Sequence, residues 1–167
     1  RNRMAPIREL ARYMNRRGKE ACVIPNGIVP RESQRHVPHI FTPEELEKFF
    51  HAADTRPVMP GFMLRHLQIP VIFRIMYACG LRPNEARLIR TADLSPDCGA
   101  LFIPESKGHK DRLVSLPAGL AGICCRYREH LERTFPGSEY FFPCQKYGGR
   151  HYGAGWLIDV FRQCWDD

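Results

Sequence analysis

The chain has 167 residues, 44% of them hydrophobic, and carries 25 Lys+Arg against 18 Asp+Glu for a net charge of +7. That length and apolar content fit one globular domain with a real core plus a piece of a second, and they exclude a disordered chain. No apolar run reaches membrane-spanning length, and the opening RNRMAPIREL lacks the apolar centre of a signal peptide. The charge is uneven: residues 1–40 hold 9 Lys+Arg against 3 Asp+Glu, while residues 41–167 hold 16 against 15. A basic arm on a nearly neutral body is a footprint of nucleic-acid contact.

In chain order, residues 5–17 place Ile7, Leu10, Ala11 and Met14 at helical spacing, and Gly18 ends the helix. One amphipathic helix cannot bury its stripe unaided, so the rest of its domain is expected upstream. Residues 21–39, with Pro25, Gly27, Pro30 and Pro38, read as an extended basic linker. FTPEEL then opens a helix: Thr42 is the N-cap, Pro43 the first helical residue, Glu45 the other half of a capping box, and Phe41 and Leu46 form a hydrophobic staple. A second helix is expected through IPVIFRIMYAC, its stripe formed by Ile72, Ile75, Met76 and Cys79, with Pro70 at its first turn or at a kink.

The stretch YACGLRPNEARLI ends that helix at Gly80 and starts another through Pro83. Arg82 stands at the new helix start, where the positive end of the dipole opposes it. A position so poor for stability suggests that something negative sits nearby. Next, ALFIPESKGHKDRLVSL reads as a β-hairpin turning around Gly108–Asp111. GLAGICCRYREHLERTF follows as an amphipathic helix with Leu120, Ile123, Cys124, Tyr127 and Leu131 inward. Residues 136–155 read as a Gly/Pro/Tyr-rich loop and WLIDVFRQCW as a last helix. The chain reads as cut at Asp167. Seven cysteines, an odd number without a C-x-x-C pair, read as reduced thiols of a cytosolic protein, and no metal site is expected.

The ordered set Gly80-Leu81-Arg82, Glu85, Asp93, Lys107 and Arg112-Leu113-Val114, spread over ACGLRPNEARLIRTADL and ESKGHKDRLVSLP, resembles the first half of the catalytic domain of tyrosine recombinases, the phage-integrase family. A lone Gly-Leu-Arg says nothing; the order and spacing are specific. The resemblance covers roughly residues 37–167 and implies an α+β fold, mainly helical with a small antiparallel sheet. It also implies the domain layout: 1–20 the last helix of a core-binding domain, 21–39 the linker, 40–167 the N-terminal part of the catalytic domain.

Such enzymes break a DNA strand by attack of a tyrosine on a phosphodiester, leaving a covalent phosphotyrosine and a sugar hydroxyl, without metal or cofactor. The protein must therefore neutralise the charge that builds on the phosphate oxygens, a task suited to a planar, always-charged guanidinium. The resemblance assigns that role to Arg82, with Glu85 orienting it. It makes Lys107 the proton donor to the departing sugar oxygen, and Lys110 and Arg112 contacts to the DNA backbone. The family also needs a His-x-x-Arg box and a late tyrosine. His109-x-x-Arg112 lies in the hairpin turn, His130-x-x-Arg133 comes too early, and Tyr152 sits among glycines, so no nucleophile is expected in residues 1–167.

The resemblance thus implies a site-specific recombinase that integrates or recombines DNA of a mobile element or chromosome, cytoplasmic and associated with a bacterial nucleoid. Its parent is expected to act as a tetramer on synapsed duplex DNA, away from any membrane. Residues 1–167 alone are expected to be inactive and to self-associate through uncovered apolar faces. The alternative is a non-catalytic DNA-binding or regulatory relative of such enzymes.

Overall fold

The computed structural model describes residues 4–25, 37–95, 97–106 and 110–166, with residues 105 and 106 described by their backbone alone. The chain divides into two compact units, Arg1–Ile40 and Phe41–Asp167.

In the first unit, helix α1 spans Met4–Arg16. Residues that follow it are tied back to it: Asn15 bonds both backbone groups of Ala21, and Arg8 donates to the carbonyls of Ile24 (2.8 Å) and Pro25 (3.0 Å). Ala11 is buried, while Ile7, Leu10 and Tyr13 stay about half exposed.

In the second unit, α2 (Pro43–Asp54) starts as its sequence dictates. The Thr42 hydroxyl accepts from the Glu45 N–H at 3.2 Å, and the Glu45 carboxylate accepts from the Thr42 N–H at 2.8 Å. Two otherwise unpaired donors are satisfied reciprocally. Phe41 meets Phe161 and Trp165 edge-on.

Helix α3 spans Arg65–Cys79 and is the centre of the domain, packing on α2, α5 (Ala118–Thr134) and α4 (Pro83–Arg87). It starts four residues earlier than the sequence suggests, and Pro70 lies inside it. Burial outweighs the proline: Gln68, Ile69, Val71, Ile72, Phe73 and Ile75 are all buried, so the helix is covered nearly all round instead of along one stripe.

Strands β1 (Ala100–Ser106) and β2 (Lys110–Ser115) form a two-stranded antiparallel sheet pairing Leu101 with Val114 and Ile103 with Arg112. The register shifts between Ile103 and Ser106, and an isolated bridge joins Leu94 to Leu101. The architecture is α+β, mostly helical, with this small sheet at one side.

Segment 136–155 is irregular, as its sequence suggests, yet much of it is buried. It contains a short 3-10 turn at Gln145–Tyr147, and Phe141, Phe142 and Pro143 rank among the largest fully buried side chains. A loop in sequence, it is core in space. The Tyr127 hydroxyl donates to the Phe141 carbonyl at 2.8 Å, and its ring stacks on Phe142. The buried amide of Gln68 donates to the Pro143 carbonyl (2.8 Å) and accepts from the Tyr152 hydroxyl (2.6 Å), so the segment's polar groups are satisfied from α3. Helix α6 (Trp156–Asp166) follows and packs on α2.

Candidate functional site

Helix α3 ends because Gly80 takes the left-handed conformation, φ 60°, and its N–H bonds back to Met76. A side chain at that position would be strained; glycine is not. Leu81 then turns inward, 6% exposed, and anchors the chain, while Arg82 turns outward with its side chain 53% exposed. Pro83 at the first helical position forfeits an N–H that had no partner anyway.

Glu85 sits one turn on, its side chain 11% exposed, and accepts hydrogen bonds from Arg82 and Arg112. Its Oε1 accepts from Arg82 Nη1 (2.6 Å) and Arg112 Nη1 (3.2 Å). Its Oε2 accepts from the Arg82 backbone N–H (2.9 Å) and Arg112 Nη2 (2.8 Å). These bonds, Arg112's first among them, hold the Glu85 carboxyl at about 2, far below the usual range, against the opposing effect of its burial. The same bond raises the pKa of Arg112. Both guanidiniums meet the same carboxylate, and Arg82 is the more exposed of the two, at 53% against 32% for Arg112. The answer to the misplaced arginine is therefore partly internal: Glu85 offsets the helix-dipole penalty and fixes the guanidinium.

The structure thus shows the expected Arg82–Glu85 pair and adds Arg112 to it, 27 residues after Glu85, a contact that neither local spacing nor motif order discloses. Lys110 is exposed at the start of β2. Lys107 and His109 lie outside the described residues, so the expected meeting of Arg82 with Lys107 does too. Asp93, the acidic residue after α4, accepts the Arg90 backbone N–H at 2.8 Å and closes the 3-10 turn Thr91–Asp93. Beside Glu85 runs an open groove of about 740 Å³ with Leu88, Arg90, Asp93, Phe102 and Tyr140 on its walls.

Arg87 was not legible as part of the site. It closes the far end of α4, its Nε donating to Asn84 (2.9 Å) and its Nη1 to the Tyr152 carbonyl (3.0 Å), with His151 Nδ1 also 2.9 Å from Nη1. Tyr152 is 4% exposed, stacks on Trp156 at 3.6 Å, and has its phenol pKa pushed up by burial. Such a phenol is bound in the core and protonated. His130 and Arg133 are exposed on α5, and Trp165 stacks on Phe161.

The phage integrase family matches residues 39–153. An integrase/recombinase of Escherichia coli is 32% identical over 105 residues, covering 63% of this chain and 26% of its own length. A tyrosine recombinase of Pseudothermotoga lettingae is 30% identical over 95 residues, covering 57% of this chain and 30% of its own. The chain spans between 26% and 41% of the length of the curated relatives it matches. Among solved structures, XerA recombinase superposes with a TM-score of 0.59 at 14% identity, over 91% of this chain and 50% of the other. XerH site-specific recombinase bound to its difH substrate gives 0.59 at 20% identity, over 92% and 45%. At those identities the two structures show a shared fold.

Proposed function

Since this chain belongs to the phage integrase family of tyrosine recombinases, we propose that the protein acts on duplex DNA as a site-specific recombinase and that residues 1–167 supply its grip on the scissile phosphate. What carries the proposal is the geometry at the start of α4: an exposed guanidinium hydrogen-bonded to a nearly buried carboxylate. A charge held in place before the substrate arrives needs no reorganisation when the phosphate becomes more negative. Arg82 takes the non-bridging phosphate oxygens, with Glu85 orienting it.

In the proposed reaction a tyrosine hydroxyl gives its proton to solvent, its oxygen bonds to phosphorus, and the bond from phosphorus to the sugar oxygen breaks. That oxygen takes a proton from Lys107, and the reverse sequence on a second strand rejoins the DNA. We assign the nucleophile to none of the tyrosines in residues 1–167, so this stretch is inactive alone. Lys110 holds the DNA backbone from the hairpin. Residues 1–20 continue a core-binding domain, 21–39 link it, and 40–167 begin the catalytic domain; the whole protein works as a tetramer on paired DNA sites. The structure of XerH site-specific recombinase bound to its difH substrate, similar in fold, supports a recombination site as partner.

Titrating residues 1–167 with duplex DNA at several salt concentrations tests this. Binding should weaken steeply with salt, and Arg82→Ala should lower the log–log slope by about one, the signature of one lost phosphate contact. A nicked duplex should gain no covalent protein adduct. Salt-insensitive binding, or binding indifferent to Arg82→Ala, would remove the phosphate role.

A further inference from the structure

The two guanidiniums on Glu85 are bound unequally. Arg112 approaches with both terminal nitrogens, one on each carboxylate oxygen, at 3.2 and 2.8 Å. The side chain of Arg82 reaches one oxygen only, at 2.6 Å, and its backbone N–H takes the other. A fork-on-fork pair fixes the plane of a carboxylate as a single bond cannot. Once that plane is fixed, so is the direction from which a further donor can approach. The orientation of Arg82 is therefore inherited from β2, the strand that carries Arg112.

We propose that Arg112 is a positioning residue: it sets the plane of Glu85, and through Glu85 the guanidinium of Arg82, and it does not itself contact the DNA backbone. This rests on the reading of Arg82 as the phosphate ligand given above. Both joined pieces are weak alone. Helix α4 has five residues, too few to persist on its own hydrogen bonds, and the hairpin's register shifts between Ile103 and Ser106. Glu85 fastens them to each other, so a pull on Lys110 at the start of β2 passes along the strand to Arg82. Grip on DNA by the hairpin and grip by α4 become one event.

The test uses residues 1–167 with Arg112→Met, Arg112→Lys and Glu85→Gln, and three readouts. Carboxyl NMR should show the Glu85 midpoint of about 2 rising by about one unit or more in Arg112→Met, because its principal hydrogen-bond donor has gone. The guanidinium signals of Arg82, split while the group is held, should collapse to a rotationally averaged form in Arg112→Met and in Glu85→Gln. Affinity for a duplex should fall about tenfold in Arg112→Met with its salt slope unchanged, where a lost phosphate contact lowers the slope by about one. Arg112→Lys, which keeps the charge and loses the fork, should bind nearly as weakly as Arg112→Met.

Any one of three results overturns the proposal: a Glu85 midpoint that stays put, an Arg82 signal that remains split, or a slope lowered by about one. Full rescue by lysine does so as well, since it would mean that charge alone matters. If wild-type residues 1–167 bind no duplex, the phosphate reading fails on its own. The two NMR readouts still decide whether Arg112 positions Arg82.

Discussion

Segments 80–90 and 138–153 contain little regular structure, yet they treat their polar groups in opposite ways. The first displays them: Arg82 stands half exposed, and its backbone and side chain both bond to one nearly buried carboxylate. The second hides them, with Phe141 and Phe142 at 0% exposure and its polar groups bonded to the buried Gln68 and Tyr127. The two segments meet. The Phe141 N–H donates to the Ile89 carbonyl at 2.9 Å, the Thr91 N–H to the Glu139 carbonyl at 2.9 Å, and Arg87 reaches the Tyr152 carbonyl. The surface cluster is therefore rigid on borrowed terms: a helix of five residues is held by a loop that is itself part of the core. Damage to the buried segment should consequently reach Arg82, while damage to the surface segment should stay local.

The largest break comes from Phe142→Ala. Removing a fully buried ring that stacks on Tyr127 should cost about 3–5 kcal/mol and appear as a large drop in thermal midpoint, with the whole second unit destabilised. Tyr152→Phe is milder and more telling. It keeps the stack on Trp156 but leaves the Gln68 carbonyl oxygen without the hydroxyl's hydrogen bond, for about 1–3 kcal/mol in denaturant titrations. If hydrogen exchange in Tyr152→Phe rose around residues 141–152 but not in α4, the two segments would be independent and the bracing idea wrong.

What could be read from the sequence divides along the same line. The α2 cap and the turn through Gly80 were legible because Thr42, Glu45, Gly80 and Pro83 act on neighbours three or four residues away. Motif order placed Arg82, Glu85 and Arg112 in one family pattern and paired Glu85 with Arg82, without disclosing that Arg112 reaches Glu85, since 27 residues and a strand intervene. Segment 136–155 is the loop that its glycines, prolines and tyrosines signal, but its burial was not legible. The partners that bury it, Gln68 on α3 and Tyr127 on α5, lie outside any local window. Arg65–Gln68 were missed in α3 because Pro70 is a local stop signal, which here loses to burial on every side.

Arg87→Met sharpens the comparison from the surface side. It withdraws the donor facing the Tyr152 carbonyl and His151 while keeping the aliphatic stem. The expected loss is about 1–2 kcal/mol, since a part-buried carbonyl is left with fewer bonds. Exchange should quicken in α4 and leave 141–144 unchanged, the asymmetry that one-way bracing requires. Equal quickening in both segments would show that the loop leans on the helix as much as the helix on the loop.

Acid gives the smallest and most local perturbation. The Glu85 carboxyl is depressed to about 2 in the folded chain by Arg112 and Arg82, below its ordinary value of 4.5. A folded pKa lower than the unfolded one contributes stability that is complete above the unfolded value and fades as pH falls toward the folded value. The window therefore runs from about 4.5 down to about 2. With Arg82 half exposed and screened by solvent, the contribution is about 1 kcal/mol. Other carboxyls titrate in that range too, Glu44 and Asp97 among them with lowered values, so the quantity to compare is the difference between wild type and Glu85→Gln. Glu85→Gln should be less stable at pH 6, and the gap should narrow between pH 4.5 and pH 2.5 as the wild-type carboxylate takes up its proton. Tyr152 in the buried segment and Tyr127, which braces that segment from α5, have no part in this window, because burial pushes both phenols upward. A gap that stayed constant across the acid range would mean that Glu85 acts through its shape, with the two arginines indifferent to its charge.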